Sequence, residues 1–358
     1  MLLQENFTEA HIRGFRAESK RDPLLFERTI YAFGLLEALA RSGLPFVFKG
    51  GTCLMLLLEK PYRLSTDIDI IVAPNVDIEP YIAVAAEIFP FTHYKADHRP
   101  VQNQIQKCHF KFTYQSPLSK EKEMPILLDV VFAQPPYSQM LKKEIRGDFL
   151  LTAPEYIPIC VPSIACILGD KFTAFAPHTI GILLGTGKDM EVMKQFYDVA
   201  TLLDVVDDFA EVCTTYRKVA AAQRAYRGVS ERDEVFLADT FRAALCIASN
   251  RKFMRDEYEC YANAIRSLRN HVYAMDYTAE AAVGDAVKIA YATLCLLTGE
   301  SFERVTDEVN LSSEVVRHRE LSCVRHLKKV DSRAYAYVIR MDRLLDQALG
   351  VYPDLFAD

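Results

Sequence analysis

Between Leu24 and Ser42 apolar residues recur at the three-and-four spacing of a helix, and the run stops at Gly43, a residue suited to a helix C-terminus. The pattern predicts a first long helix over 24–42. Pro45-Phe-Val-Phe-Lys49 reads as a short strand ended by Gly50-Gly51. The apolar stretch Thr52-Cys-Leu-Met-Leu-Leu-Leu58, with no β-branched residue after Thr52, reads as a buried helix that Thr52 would cap. Ile68-Asp-Ile-Ile-Val72 is the strongest strand signal, followed by a helical stretch over 77–88. Residues 108–114 and 126–132 alternate as a strand pair across a charged, proline-containing turn at 116–125, and no strand is expected after them. From Pro162 onward the period is helical, over 163–176, 189–205, 235–249, 285–298 and 333–348. The fold class expected is α/β (α+β), a mixed sheet followed by an all-α C-terminal domain. The divide is predicted near 150–160, where Pro154, Pro158 and Pro162 break any helix, giving domains over 1–155 and 156–358.

Composition adds limits. In 358 residues, 50% hydrophobic and 25% charged is the balance of an ordinary globular protein, which excludes intrinsic disorder and leaves room for two or three domains. A net charge of −6, from 42 basic and 48 acidic residues, gives no bulk attraction to nucleic acid or a membrane surface, so any nucleic-acid contact has to be local. The nine cysteines are scattered, odd in number and without a C-x-x-C pair. Reduced thiols in the cytoplasm are expected, with neither a disulfide framework nor a zinc cluster. No apolar run approaches the ~18 residues that span a bilayer, and the first residues lack the basic and apolar blocks of a signal peptide, so no membrane association or export is expected.

Candidate chemistry concentrates in residues 46–72. A strand that ends in Gly50-Gly51 and runs into a helix brings bare backbone N–H groups to a positive helix end, where phosphate is stabilised. Asp67 and Asp69, at i and i+2 of a strand, are expected to project from one face. Carboxylates that close repel unless a cation lies between them, and hard oxygen ligands suit Mg²⁺. Asp129, in Leu127-Leu-Asp-Val-Val131, has the same apolar strand context. Three converging carboxylates could hold two metal ions for in-line displacement at phosphorus, one on a triphosphate and one on the attacking hydroxyl. Arg63, just ahead of the acidic strand, is placed to neutralise the metal ligands or a phosphate, or else to pair with a surface carboxylate.

Gly50-Gly51-Thr52, followed by Arg63-Leu-Ser65-Thr-Asp67-Ile-Asp69, resembles the first motif of the AbiEii/AbiGii toxin family, a branch of the DNA polymerase β-like nucleotidyltransferase superfamily. The resemblance extends over about 30–205. Lys171 is similar to the family's later lysine, thought to meet the nucleotide's phosphates. Lys194-Gln-Phe-Tyr-Asp198 is similar to the Arg-Asp-x-Tyr-Asp segment of its last motif, with Lys194-Gln195 where Arg-Asp is common. The resemblance implies a polymerase β-like core with a helical domain closing the nucleotide cleft, and transfer of a nucleoside monophosphate from an NTP with release of pyrophosphate. Gly50, Gly51, Thr52, Arg63, Ser65, Lys171 and Asp198 would hold the nucleotide, with Asp198 orienting Lys171. Asp67, Asp69 and Asp129 would hold Mg²⁺, and Lys171 would join them in catalysis. An RNA acceptor resembling a tRNA end, and a cognate antitoxin, are the partners implied. The alternatives are transfer to a small molecule or a protein hydroxyl, and a non-catalytic nucleotide-binding module.

Gly181-Ile-Leu-Leu-Gly-Thr-Gly187-Lys188-Asp189 looks like a phosphate-binding loop, but its outer glycines are one residue too far apart and Asp189 stands where Ser or Thr would ligate Mg²⁺. It reads as a flexible loop beside the active site, with Lys188 a surface lysine or a phosphate contact. His93, His98, His109 and His178 show no metal-ligand spacing and read as core or surface residues. Beyond residue 205, sixteen of 21 basic residues are arginine, the better phosphate-binding side chain. Clusters at Arg251-Lys252, Arg317-His-Arg319 and Arg325-His-Leu-Lys-Lys329 are either RNA contacts or solvated helix faces.

Overall fold

The computed structural model describes residues 1–19, 22–59, 63–96, 107–119, 122–273, 275–306, 311 and 313–357, and the side chains of all of these except 16–19. Its Cα framework divides into two compact units. One comprises Met1–Ser163 with Asn270–Asp276, the other Ile164–Arg269 with Tyr277–Asp358. His98 lies outside the described residues.

The first unit contains helices α1 (Glu9–Ser19), α2 (Pro23–Arg41), α3 (Gly50–Leu57) and α4 (Glu79–Ala86). Asp22 opens α2 by accepting the N–H of Leu24, Pro23 takes the first helical position, and the chain leaves the helix through Gly43 at φ +81°. Among the described residues seven strands form one sheet: β1 (Val47–Lys49), β2 (Ile68–Val72), β3 (His93–Ala96), β4 (Lys107–Gln115), β5 (Glu123–Phe132), β6 (Met140–Glu144) and β7 (Pro158–Pro162), in the order β3-β4-β5-β2-β1-β7-β6. The β2–β5 and β1–β7 pairs are parallel and the rest antiparallel.

The alternation of the strands decides which face does what. Phe48, Ile68, Ile70, Phe110, Phe112, Leu128 and Val130 are fully buried, each such side chain stabilising the fold by roughly 1.5–3 kcal/mol. Their alternating neighbours Lys49, Asp69, His109 and Asp129 are half-buried on the other face. Helix α2 packs on β2, β5 and α4. Its buried Glu27 accepts hydrogen bonds from Tyr114 Oη (3.0 Å), Ser116 Oγ (3.0 Å) and the N–H of Leu118 (3.3 Å), so the carboxylate is satisfied within the core.

The second unit holds α5 (Ile164–Ala174), α6 (Asp189–Leu203), α7 (Phe209–Arg227), α8 (Asp233–Ser249), α9 (Arg255–Leu268), α10 (Ala279–Thr298), α11 (Leu327–Val330) and α12 (Ser332–Val351). Helix α10 is long and apolar enough to cross a membrane by length and composition, but 72% of its apolar window is buried, and it packs on α6, α8 and α12 as a core helix. Mixed α/β sequence early and helices late is the class expected from the sequence. All nine cysteines are free.

Three strands depart from that reading. Strands do not stop at 132: β6 and β7 follow, and β3 precedes the central pair. Edge strands β3 and β6 are largely exposed and lysine-bearing, so they carry little apolar alternation. Strand β7 is bracketed by Pro158 and Pro162, which read as breakers yet fall at its ends, where proline is tolerated.

Candidate active site

Lys49 is extended (φ −138°), Gly50 takes φ +82°, and the chain enters α3 at once. The two glycines are there for lack of space as well as for conformation. A Cβ at Gly50 would lie 2.8 Å from Asp69 Cγ, and one at Gly51 2.6 Å from Arg63 Nη2 and 2.9 Å from Ser65 Oγ. Bare backbone at the start of α3 is therefore in contact with the Asp69 carboxylate and with Arg63 and Ser65 of the segment leading into β2. Five residues of the sequence motif are brought together in this way.

Thr52 is not the helix cap. Helix α3 begins two residues earlier, with Lys49 at its N-cap, because Gly50 can turn directly into it. The Thr52 hydroxyl donates to the carbonyl of Asp67 at 2.6 Å and fixes the approach to β2. Asp67 is the residue before β2, not within it, although the burial alternation runs on through it. Its Oδ1 accepts from Thr66 Oγ1 at 3.4 Å and lies 4.0 Å from Arg28 Nη2 on α2.

Strand register lines up the remaining polar groups. Lys49 pairs with Asp69, Asp69 with Asp129, and Asp129 with His109, so four ionisable residues form one row across β1, β2, β5 and β4. Directly paired residues share a face, so cation, two carboxylates and imidazole stand side by side. His109 Nδ1 is 2.6 Å from Asp129 Oδ1. The sequence reading passed over this histidine: its partner is 20 residues away and is chosen by the β4–β5 register, which no local motif encodes.

Among the described residues, no three His, Cys, Asp or Glu side chains converge as a ready-made metal group. Asp69 stands against a glycine-lined helix start, with Asp67 two residues ahead of it and Asp129 beside it in register. That donor set fits Mg²⁺, which is commonly held by one or two carboxylates and completed by phosphate oxygens and water.

In the helical unit, Lys171 of α5 is buried and bonded to two residues of α6, Asp198 Oδ2 at 2.8 Å and Gln195 Oε1 at 2.8 Å. The Asp198 side chain is 2% exposed, so the pair lies in a medium where either charge alone would be costly. Gln195 is three residues before Asp198 and shares its helix face. Lys194 pairs instead with Glu191 at 2.9 Å.

The phosphate-loop look-alike connects α5 to α6. Gly185 and Gly187 have φ +74° and +79°, and the Gly185 N–H donates to Asp189 Oδ1 at 2.7 Å, so that carboxylate closes the loop onto the helix entrance. Of the remaining histidines, His93 lies on the exposed edge strand β3. His178 Nδ1 is 2.7 Å from Asp239 Oδ1 and its Nε2 2.9 Å from Glu257 Oε2. Two of the basic clusters are bound into the helical fold. Arg317 and His318 bond Asp342, and Arg325 donates to the carbonyls of Val316 and His318.

Compared with known proteins, residues 34–281 match a family model described as nucleotidyl transferase AbiEii toxin, type IV TA system. The matched span contains the glycines, Thr52, Arg63, Ser65, the three aspartates, His109, Lys171 and Asp198, while Arg28 lies ahead of it. No curated protein matches the chain.

Proposed function

Since the chain belongs to the AbiEii nucleotidyl transferase toxin family of type IV toxin–antitoxin systems, we propose that it transfers a nucleoside monophosphate from an NTP to a hydroxyl of an RNA acceptor, and that a cognate antitoxin restrains it. The observation that carries the reading is the packing of Asp69 against Gly50 at the start of α3, with Asp129 in register beside it.

In this reading the acceptor oxygen bonds to the α-phosphorus, the bond between that phosphorus and the α–β bridging oxygen breaks, and pyrophosphate leaves. Backbone N–H groups at Gly50 and Gly51 face the triphosphate, and Arg63 and Ser65 border it. Asp67 and Asp69 would hold Mg²⁺, which when bound offsets the negative charge of the reacting phosphates. The Thr52 proton is committed to the Asp67 carbonyl, so Thr52 positions the carboxylate strand and leaves the phosphates to the backbone. Asp129, its Oδ1 held by His109, is oriented to take the acceptor's proton on Oδ2. Lys171, paired with Asp198 and bonded to Gln195, enters through the family motif that it matches.

The test incubates the purified protein with each α-labelled NTP, Mg²⁺ and total RNA, beside an Asp69→Asn variant. The expected outcome is label on RNA that survives protease, is lost to RNase and is absent with the variant. Label at low molecular mass or on protein would replace the RNA acceptor by a small molecule or a protein hydroxyl. Label on nothing, under any NTP, would leave only a nucleotide-binding module.

A further inference from the structure

The helical unit contains a hollow that none of the residues assigned above uses. Its volume is ≈ 580 Å³, within the ~300–1,000 Å³ range of ligand pockets. One face of α9 forms its wall. Tyr258, Ala262, Ile265 and Arg269 recur at intervals of four, three and four, with Arg266 beside them, and Arg251 enters from the turn between α8 and α9. The floor is apolar at Ala262 and Ile265, whereas the rim carries three guanidinium groups.

That turn is an unusual piece of backbone. Asn250, Arg251 and Met254 all have positive φ (48°, 71° and 46°) without being glycine, a conformation that costs of order 1–3 kcal/mol per residue for bulky side chains. The Phe253 N–H donating to Ser249 Oγ at 3.0 Å helps hold it. The strained conformation sets the Arg251 guanidinium over the Tyr258 ring, 5.6 Å from its centroid, and against Glu259. Arg266 donates to Asn263, and among the described residues no carboxylate pairs with Arg266 or Arg269. Three cations thus face one acid around an aromatic ring.

We propose that this hollow binds nucleotide phosphates, with a base against Tyr258 and the phosphates along Arg251, Arg266 and Arg269. Arginine forks suit phosphate oxygens, and an aromatic face accepts any base. Arg251 lies over Tyr258 while Arg269 follows the end of α9, and positions 258 and 269 are about 16 Å apart at 1.5 Å per residue. That length suits successive phosphates of a single RNA strand better than one mononucleotide. The inference goes beyond the transferase reading and does not depend on it, because its readout is binding.

The test measures anisotropy of a short labelled single-stranded RNA with the full chain, without Mg²⁺ or NTP, across a salt series. Three phosphate contacts predict a log–log salt slope of about −2, at ~0.7 per phosphate for single strands. The double variant Arg266→Gln/Arg269→Gln should bind about tenfold more weakly and lose about two-thirds of that slope. Tyr258→Leu should weaken binding about fivefold or more by removing the stacking face. Glu259→Gln, which removes the acid that pairs with Arg251 at the rim, should bind more tightly, a gain that misfolding does not produce. Competition by ATP at concentrations similar to those of RNA would identify a free nucleotide as the ligand, and competition only by RNA a strand. Unchanged affinity and slope in the double variant, together with no tightening by Glu259→Gln, would overturn the proposal.

Discussion

A methyl group at Gly50 would occupy the space of the Asp69 carboxylate, at a residue whose φ of +82° already disfavours any side chain. Gly43 has nearly the same φ, +81°, with nothing within 4 Å of where its Cβ would be. The two positions separate strain from contact. Gly43→Ala should cost about 1 kcal/mol in urea unfolding, and Gly50→Ala roughly 2–3 kcal/mol together with loss of nucleotide transfer. A Gly50 variant no less stable than its Gly43 counterpart would remove Asp69 from the helix start. The residues of this contact were legible in the sequence because Gly50, Gly51, Arg63, Ser65 and Asp69 lie within one short segment. His109, Arg28 and Gln195 were not, since each acquires its role from a neighbour in space: a strand register, a helix crossing, a shared helix face. Thr52 was read as a cap for the same reason, its true partner being the carbonyl of Asp67.

The connection from α5 to α6 is pinned at one end by a single carboxylate. Asp239, buried in α8, accepts from the N–H and Nδ1 of His178 and from Thr179 Oγ1, while Glu257 of α9 meets the other imidazole nitrogen. The hydrogen bond to Asp239 is the chief cause that raises the His178 pKa, burial opposing it and the charges of Asp239 and Glu257 adding to it. A raised folded-state pKa stabilises in full below the unfolded value of about 6.5 and is lost as pH rises through the folded value. Urea midpoints should therefore fall across that window, and His178→Gln should reduce the fall. His318, raised in the same sense by Asp346 and Asp342, supplies a remainder. An unchanged slope in the variant would show that the latch carries no charge. Long helices such as α2, α6 and α8 were legible because their apolar stripes are broad. The narrow stripe of α7, essentially Phe209, Val212, Tyr216 and Val219 among polar residues, was not, nor were edge strands that have little to bury.

At the scale of the molecule, chain order and spatial order part company. The sheet unit takes back residues 270–276 after more than a hundred residues of the helical unit. There the His271 carbonyl accepts the Leu64 N–H at 2.9 Å, Val272 bridges Arg63 and is fully buried, and Tyr273 packs edge-on against Phe26 at 5.6 Å. The segment therefore supports the residues that lead into β2. A fragment of residues 1–163 should give a lower melting temperature than the same fragment with 270–276 tethered to its end, measured by circular dichroism; equal melting would make the segment dispensable. No periodicity announces such a return, because it is a pairing of short stretches distant in sequence. It also imposes a schedule. A ribosome adding ~5–20 residues per second takes roughly 5–20 s to travel from the end of β7 to residue 270. Throughout that interval the nascent chain carries the whole glycine–aspartate motif without the support for Arg63 and Leu64. A chain assembled in this order completes the support of its glycine–aspartate motif only when the residues around 270 have been made.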